Sequence, residues 1–368
     1  MTQKKPIDKL FLIATTLLTS IGFIIFLSAS LGLINGSDTS FFSISMKQAL
    51  SLIIGIIFFY IFSRINYRYL RRFSFFIFLF TIFINLLLFV PSIAMSHGGA
   101  ARWIDLGFIS FQPSELLKIS FIIYLAAWIA YAKDKIQTIS HGLLPYIVLL
   151  IISSILLFFQ RDTDTLAVIA FTGILMLVIG GAKYKHILIA VLCLASFIAL
   201  VIFTRPYALE RVKTYFNRGS DSQGSGYQIN QSLIAIGSGQ YFGRGFGQSI
   251  QKFGYLPQPT DDSIFAVAGE EFGFFGTTII ILLYIFFGFS VFRLGLKIHD
   301  IFGTSLVMGI AVLILTESFL NISAMIGVTP LSGLPLLFMS HGGTALIVTL
   351  MSAGIIASVS RHEIKQVS

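Results

Sequence analysis

Two adjacent aspartates, Asp261 and Asp262, end a long polar segment and come directly before a strongly apolar run. The polar segment spans Arg205–Ser263 and has apolar segments on both sides. Charged groups near hydrocarbon are costly unless they are paired or hydrated, so carboxylates at such an edge indicate chemistry or ion binding. An aspartate before a helix is also a common N-cap. A catalytic role and a capping role are therefore both open to this pair.

A second group of polar residues lies at the start of another apolar run and has the spacing of one helix face. Pro113 suits the first position of a helix, and Glu115 suits the positive end of the helix dipole. Glu115 and Lys118 are three positions apart, which allows them to pair on the same face. The pair is either a structural ion pair or, together with Arg102, part of a binding site for a phosphate-bearing ligand.

Other polar residues lie at the ends of apolar runs or within them. The segment Gln160–Thr165 holds Asp162 and a second acid beside an arginine; it is either a solvated hairpin or a place where a divalent cation meets phosphate oxygens. Glu270 lies two helical turns after the aspartate pair, so it should face the protein interior or a cavity rather than lipid. Glu317–Gly343 brings Pro, Gly and Asn to membrane depth, where irregular backbone is tolerated only inside protein or along a wet cavity.

The composition is that of an integral membrane protein. Hydrophobic residues make up 56% of the 368 residues and charged residues 11%, against about a quarter charged in a soluble globular protein. Cys193 is the single cysteine, so neither an intramolecular disulfide nor a cysteine metal site can form. No soluble domain remains after the apolar runs are subtracted, and we expect one polytopic membrane domain over residues 1–368.

Ten apolar stretches are long enough to cross a bilayer as helices, which takes roughly 17–25 residues each. They are Leu10–Leu33, Met46–Phe62, Phe73–Met95, Pro113–Tyr131, Leu143–Phe159, Thr165–Gly180, His186–Thr204, Ile264–Leu294, Phe302–Gly327 and Gly342–Val359. The expected fold is an all-α integral membrane protein with about ten transmembrane helices. Ile264–Leu294 and Phe302–Gly327 exceed a minimal span, so we expect them to tilt or protrude.

The distribution of basic residues gives the orientation. Most of the 25 Lys and Arg residues lie at the two termini and in every second connection, where few of the 16 acids are found. Basic residues mark cytoplasmic connections, so both termini are expected in the cytoplasm and the large loop 205–263 outside. The net charge of +9 reflects this topology, and no nucleic-acid partner is expected.

Several short motifs follow one another along nearly the whole chain. They are Arg102-Trp-Ile104, Phe111-Gln-Pro-Ser-Glu115-Leu-Leu-Lys118, Gln160-x-Asp162, Ser249-x-Gln251-Lys252-x-x-Tyr255-Leu-Pro257, Asp262-x-Ile-Phe-Ala-Val267, Glu270-Glu271-x-Gly273, Asn321, Gly327-x-x-Pro330-x-x-Gly333-Leu-Pro335 and Ser340-x-Gly-Gly343. Together they resemble the SEDS family (shape, elongation, division and sporulation), which contains FtsW and RodA. The Ser249–Pro257 motif is more similar to the division members, FtsW, than to RodA.

The resemblance implies a peptidoglycan glycosyltransferase of the bacterial plasma membrane, acting at the division septum. Its substrate would be lipid II, a disaccharide-peptide on undecaprenyl diphosphate, polymerised into glycan strands. The implied partners are a class B penicillin-binding protein transpeptidase, other divisome proteins and membrane lipids. Three alternatives stay open: a lipid II flippase, a non-enzymatic scaffold that recruits the transpeptidase, and an elongation role of the RodA type.

The resemblance also assigns roles to residues. Asp262 matches the essential aspartate of the family, and we predict that it is the general base on the acceptor hydroxyl. We predict that Lys118 and Arg102 lie near the leaving diphosphate, with Glu115 orienting Lys118. A divalent cation, Mg²⁺ or Mn²⁺, is optional, with Asp162 as its ligand, and no other cofactor is expected. The remaining predicted substrate-binding residues are Gln112, Ser114, Glu270, Asn321 and Ser340.

Some positions depart from the family pattern. Asp261 is a rival to its neighbour as the base. Asp164 stands where the family usually has Gly, and Glu317 where it usually has Gln. Leu337 and His341 replace the usual Pro and Tyr. These departures leave the detailed geometry and the branch of the family open.

Overall fold

The computed structural model describes residues 6–34, 41–90, 94–97, 100–105, 110–217 and 224–362. These ranges are almost entirely helical, with one small sheet. The helices are α1 (Lys9–Ser30), α2 (Phe41–Arg64), α3 (Arg68–Leu86), α4 (Pro113–Ala132), α5 (Leu144–Phe159), α6 (Thr163–Ile179), α7 (Tyr184–Thr204), α8 (Pro206–Phe216), α9 (Ser225–Ser238), α10 (Ile264–Gly295), α11 (Ile301–Met325) and α12 (Gly343–His362). The strands are β1 (Ala94–His97), β2 (Ala100–Asp105) and β3 (Ser110–Phe111).

The apolar helices agree with the stretches predicted from the sequence. Within the described ranges, nine helices are long and apolar enough to cross a membrane, and the 17-residue α6 is a shorter apolar helix. Each corresponds to one of the ten predicted stretches. The two other helices, α8 and α9, both lie in the large loop 205–263. The prediction of an all-α multi-pass membrane fold is confirmed.

The helices differ in how much of their surface the bundle covers. The helices α4, α11 and α12 are largely buried, whereas α2 and α7 expose most of their apolar side chains. Small residues allow close approach: a Cβ on Gly354 of α12 would lie 2.6 Å from the carbonyl oxygen of Phe59 in α2. The central helices α4, α11 and α12 therefore form a rigid support for the polar residues at their exterior ends.

The connection between α3 and α4 contains an antiparallel sheet that the sequence did not predict. Strand β2 is central and pairs with β1 on one side and β3 on the other. The register places Met95 opposite Trp103 and Ile104 opposite Phe111. These strands are too short to give a clear alternating pattern in the sequence. The sheet holds Arg102 near the start of α4.

Helix α10 is broken at Gly273, which has φ 63° and ψ −160°. The break frees backbone groups on both sides, and residues 240–245 of the large loop bind them. The four hydrogen bonds run from the N–H of Phe274 to the carbonyl of Gln240 (2.8 Å), from Phe275 to Tyr241 (3.1 Å), from Arg244 to Glu270 (3.0 Å) and from Gly245 to Glu271 (3.0 Å). The predicted span is longer than a bilayer crossing requires. The extra residues form a short helical segment before the break, and hydrogen bonds hold this segment to the loop.

Candidate functional site

A polar cavity of about 570 Å³ lies among the exterior ends of the helices. Its volume is in the range of sites for small molecules and cofactors. Five of the predicted site residues line it: Arg102, Gln112, Glu115, Asp162 and Asp262. The other polar lining residues include Lys47, Ser51, Asp105, Thr165, Gln258, Asp261, Glu317 and His341.

Asp262 lies in the turn that precedes α10 and lines this cavity. Burial, together with the nearby carboxylates of Asp261 and Asp164, raises the pKa of Asp262 to about 7, while Arg211 and Arg102 oppose the rise. A general base whose pKa is near the ambient pH is ionised in a large fraction of the molecules. It also binds a proton strongly enough to remove it from a hydroxyl group. The Asp262 carboxylate is therefore suited to accept a proton at neutral pH.

Asp261 has different surroundings from its neighbour. Its Oδ1 lies 3.3 Å from Nδ1 of His341. The hydroxyl of Ser340 donates to the Asp261 carbonyl oxygen (2.7 Å), and the His341 N–H donates to the carbonyl of Thr260 (2.7 Å). The Asp261 carboxylate is thus engaged by an imidazole. This arrangement favours Asp262 over Asp261 as the base.

Lys118 lies buried between two glutamates. Its Nζ is 2.9 Å from Oε1 of Glu115, and 2.8 and 2.7 Å from the two carboxylate oxygens of Glu317. Both glutamates line the cavity, while Lys118 lies behind them and is 2% exposed. The i, i+3 pair expected in α4 is present, and a second carboxylate reaches it from α11. Lys118 is positioned to hold these carboxylates rather than to reach a ligand directly.

Asp162 caps the start of α6. Its Oδ1 accepts from the N–H of Thr165 (3.4 Å), and its Oδ2 accepts from the hydroxyl of Ser114 (3.2 Å). The Gln112 side-chain amide donates to the Ser114 oxygen (3.0 Å), and the Gln112 N–H donates to the hydroxyl of Thr344 (3.1 Å). This chain of hydrogen bonds joins the exterior ends of α4, α6 and α12 under the cavity. The predicted residues Gln112 and Ser114 therefore have positioning contacts.

Arg102 reaches the cavity from strand β2. Its Nε donates to the carbonyl oxygen of Gln160 (3.1 Å), and its guanidinium also contacts the carbonyl of Arg161. Carbonyl oxygens fix the orientation of the guanidinium without neutralising its charge. Burial raises the pKa of Asp262, and the positive charge of Arg102 partly opposes this rise. Arg102 is therefore a cation held in place at the cavity wall.

Asn321 and Ser340, both predicted to bind substrate, lie behind the cavity lining. The Asn321 side-chain amide donates to the carbonyl oxygens of Asp262 and Leu334, both at 2.8 Å. Ser340 binds the carbonyl of Asp261. Both side chains are buried. They fix the backbone of the turn that carries the two aspartates.

Glu270 lies away from the cavity, although the sequence analysis placed it among the substrate-binding residues. It is fully buried, as expected for an acid within apolar sequence, but its carboxylate is occupied by the large loop. Its partners are the hydroxyl of Ser249 (2.6 Å), the N–H groups of Ile250 and Gln251 (both 3.1 Å) and Nε of Arg244 (3.3 Å). The acid next to it, Glu271, pairs with the buried Lys252 (2.7 Å). Through these hydrogen bonds and ion pairs, both carboxylates hold the large loop against α10.

Some residues of the site have only a weak signal, or none, in the amino-acid sequence. Lys47 in α2 lines the cavity, and the signal for it was a lysine at the exterior end of an apolar run. His341 and Glu317 drew notice only as departures from a family pattern. Arg211 in α8 pairs with Asp164 (2.8 Å). No local pattern predicts this last contact, because the two residues lie on separate connections.

An apolar groove of about 340 Å³ adjoins the polar cavity. It is lined by side chains of α6, α7, α8, α11 and residues 329–334. The Asp164–Arg211 ion pair lines it, and the Gly333 N–H donates to the Asp164 carboxylate (3.0 Å). A Cβ on Gly333 would lie 3.6 Å from Oδ2 of Asp164 and 3.9 Å from Oδ2 of Asp262. Gly333 thus lies close to both the ion pair that lines the groove and the Asp262 carboxylate.

The cavity is rich in carboxylates, but their arrangement is not that of a complete metal site. In the part of the chain that the structure describes, no group of three or more His, Cys, Asp or Glu side chains is placed to hold a metal ion. A cation at Asp162 would need further oxygens from a bound ligand, which phosphate groups supply. The divalent cation stays a prediction.

Sequence comparison finds relatives over the whole length. The model of the family described as cell cycle protein, that of FtsW, RodA and SpoVE, matches residues 8–365. Stage V sporulation protein E of Bacillus subtilis (strain 168) is 34% identical over 362 residues, 98% of this chain and 99% of that protein. Probable peptidoglycan glycosyltransferase FtsW of Geobacter sp. (strain M18) is 33% identical over 360 residues, 98% of each chain.

Two solved structures are similar in fold. A chain from a study of the structural coordination of polymerization and crosslinking by a peptidoglycan synthase complex matches with a TM-score of 0.80 at 24% identity, covering 98% of this chain and 99% of that one. Thermus thermophilus rod shape determining protein RodA matches with a TM-score of 0.70 at 20% identity, covering 98% of each chain. At these identities the likeness shows a shared fold.

Proposed function

This chain belongs to the FtsW, RodA and SpoVE family of cell cycle proteins, and from that premise we propose that it is a peptidoglycan glycosyltransferase that polymerises lipid II. Relatives about a third identical over nearly the whole chain bear the name probable peptidoglycan glycosyltransferase FtsW. The observation that carries the proposal is the Asp262 carboxylate, which lines the exterior cavity with a pKa raised to about 7 and with the charges of Arg102 and Arg211 close by.

In the proposed reaction, a sugar hydroxyl of one lipid-linked chain attacks the anomeric carbon of another. As the new C–O bond forms, the hydroxyl proton passes to the Asp262 carboxylate. The bond from the anomeric carbon to the diphosphate oxygen breaks on the opposite side, and its electron pair leaves with the diphosphate. The configuration at the anomeric carbon is therefore inverted. The protein's remaining task is to stabilise the charge that grows on the leaving group.

The cavity offers cations for that task. Arg102 and Lys47 both line it, and Arg102 is already oriented by backbone carbonyls. Lys118, expected from the sequence to approach the diphosphate, instead holds Glu115 and Glu317 in the cavity wall. We assign it a positioning role. A divalent cation bound between Asp162 and the diphosphate oxygens would neutralise further charge.

The neighbouring groove suits the lipid part of the substrate. Its lining is mostly apolar, and it adjoins the polar cavity where the Asp164–Arg211 pair stands. A polyprenyl chain in the groove would bring its diphosphate to Arg211 and its sugar towards Asp262. Amphiphilic substrates require such a junction between apolar and polar surfaces.

The proposed partner is a class B transpeptidase, and the proposed location is the division septum. The structural relative from a complex that coordinates polymerization and crosslinking supports the partner. The relatives named FtsW support the location, while the equally similar sporulation protein supports a role in spore formation.

The test is a gel assay of glycan polymer formed from labelled lipid II. We expect polymer from the purified wild type with its cognate transpeptidase, none from Asp262→Asn, and substantial polymer from Asp261→Asn as the matched control. The asparagine variants preserve size, so both should be recovered folded. If Asp261→Asn is inactive and Asp262→Asn active, the base is Asp261.

The same preparation distinguishes the alternative functions. Absence of polymer with every transpeptidase tested, together with transfer of lipid II across proteoliposomes, would indicate a flippase. Absence of both activities, with retained binding of the transpeptidase, would indicate a scaffold.

A further inference from the structure

The large loop carries a row of exposed apolar side chains between α9 and the aspartate turn. We call this row the loop rim; it consists of Tyr241, Phe242, Phe246, Ile250, Phe253 and Tyr255. Phe242 is 81% exposed and Tyr241 67%. Five of these six exposed side chains are aromatic, and such a concentration of exposed apolar groups in one short segment marks an interaction site.

The position of the rim along α10 gives its depth in the membrane. At the cytoplasmic end of α10, Arg293 pairs with Asp8 at 2.5 Å. From there to Phe274 the helix spans about 29 Å at a rise of about 1.5 Å per residue. The rim meets the helix at that level, where the rings of Phe242 and Phe275 are 5.2 Å apart. Since the hydrocarbon core is about 30 Å thick, this edge of the rim lies at its exterior boundary.

Helix α1 gives the depth of the other edge of the rim, measured from the same cytoplasmic ion pair. Asp8 caps its cytoplasmic end, and the helical run continues past Ser30 to Leu33. The distance from Asp8 to Gly32 is about 36 Å. A Cβ on Gly32 would overlap the carbonyl of Lys252, so the second edge of the rim rests there. That level falls within the headgroup layer, because the bilayer including headgroups is about 40–45 Å thick.

We propose that the loop rim is a lipid-binding surface that lies in the exterior interfacial layer of the membrane. Its rings would contact acyl chains and headgroups there, and its tyrosines would keep their hydroxyls at the water edge, as aromatic belts do. The rim is continuous with the outward side of α10, where Phe274, Ile279 and Leu282 are exposed. This continuity with the lipid-facing stripe favours lipid over a protein partner as the occupant.

Buried charged groups lie on the inner side of the same loop. Glu270, Glu271 and Lys252 are buried there and hold the loop to the protein by ion pairs and hydrogen bonds. The chain runs on from Tyr255 into the turn that carries Asp262. The loop segment that leads to the cavity would thus be held in place on both sides. Lipid would contact its outer side, and the buried charged groups bind its inner side. Lipid contact by the rim does not require the reaction proposed for that cavity.

The test measures the depth of single labelled positions in proteoliposomes. In a Cys193→Ser background, Phe242→Cys and Tyr255→Cys are labelled with the environment-sensitive fluorophore NBD. Two controls use exposed residues elsewhere: Ile285→Cys, about midway between Phe274 and Arg293 in α10, for the hydrocarbon core, and Glu210→Cys in α8 for water. Doxyl lipids with shallow or deep spin labels and aqueous iodide serve as quenchers. Elution as a single monodisperse peak verifies the fold of each variant.

We expect shallow doxyl lipids to quench positions 242 and 255 at least twofold more than iodide does. Deep doxyl lipids should quench position 285, and iodide should quench position 210. Strong iodide quenching at 242 and 255 without doxyl quenching would overturn the proposal, because the rim would then lie in water. Protection from both quenchers only after the transpeptidase is added would overturn it in favour of a protein contact.

Discussion

Asp262 can accept a proton only when it is ionised, so its raised pKa links the proposed reaction to pH. The ionised fraction grows as pH rises through about 7. We therefore predict that the rate of lipid II polymerisation increases with pH across this range and then levels off. Initial rates over a pH series measure this rising part of the pH–rate profile, which we call the rising limb. A rate that is flat from acidic to neutral pH would contradict a base with this pKa.

Two substitutions should move this limb in opposite directions. Asp261→Asn removes a neighbouring negative charge, so the pKa of Asp262 falls and the limb shifts to lower pH. Arg211→Gln removes an opposing positive charge, so the pKa rises and the limb shifts to higher pH. Opposite shifts would be hard to produce by general damage to the fold. Shifts of the same sign in both variants would argue against Asp262 as the titrating group.

The buried cluster of Lys118, Glu115 and Glu317 predicts unequal effects of neutralising its members. Lys118→Met would leave two buried carboxylates without their cation and should destabilise the protein by about 3–5 kcal/mol. Glu317→Gln keeps a hydrogen-bond acceptor and leaves Lys118 paired with Glu115, so it should cost far less. Thermal unfolding in detergent, followed by size exclusion, measures both. Equal losses would mean that Glu317 does more than hold Lys118.

At the residue scale, the sequence identified side chains at helix starts better than it identified their partners. Glu115 and Asp162 stand at the starts of apolar runs, where a charge is conspicuous, and both line the cavity. The pairing of Lys118 with Glu317 joins positions 199 residues apart. Sequence spacing carries no information on such a contact, because it depends on how α4 and α11 pack.

Among the structural elements, the broken helix α10 gives the sharpest prediction. A Cβ on Gly273 would lie 2.4 Å from the backbone nitrogen of Gly243, in a backbone conformation that L-residues rarely adopt. Gly273→Ala should therefore cost more than the about 1–3 kcal/mol of backbone strain alone. Gly237→Ala is the matched control, since it is helical and has no atom within 4 Å of its added Cβ. It should be neutral or stabilising by about 0.5–1 kcal/mol. Thermal unfolding compares the two variants.

The transmembrane helices could be predicted because the bilayer fixes their length and polarity. The sheet of β1–β3 and the break in α10 could not, because each depends on backbone partners distant in sequence. Gly243 illustrates the difference: no local sequence pattern indicates its neighbour, yet it packs directly against Glu271 in α10. The same dependence explains why the sequence placed Glu270 among the substrate-binding residues. Its burial followed from the sequence, but the loop that covers it did not.

At the scale of the whole molecule, the apolar groove and the polar cavity should act on different parts of one substrate. We predict that Ala208→Phe, which fills the groove, raises KM for lipid II with a long polyprenyl chain severalfold and leaves kcat nearly unchanged. A short-chain analogue should be affected much less. Ala195→Phe on the exposed side of α7 is the control, and it should match the wild type. Equal effects on both substrates would exclude the groove as the chain site.

The break in α10 also constrains how the protein is made. The carbonyls of Glu270 and Glu271 and the N–H groups of Phe274 and Phe275 bind residues 240–245, which leave the ribosome earlier than α10 does. If the loop has not crossed the membrane when α10 inserts, four polar groups remain unsatisfied in or near lipid, which is strongly unfavourable. Translocation of the loop and insertion of α10 must therefore be completed together. The segment from α9 to Gly273 is in this sense a single unit of membrane assembly, and the translocation machinery has to accept it as one.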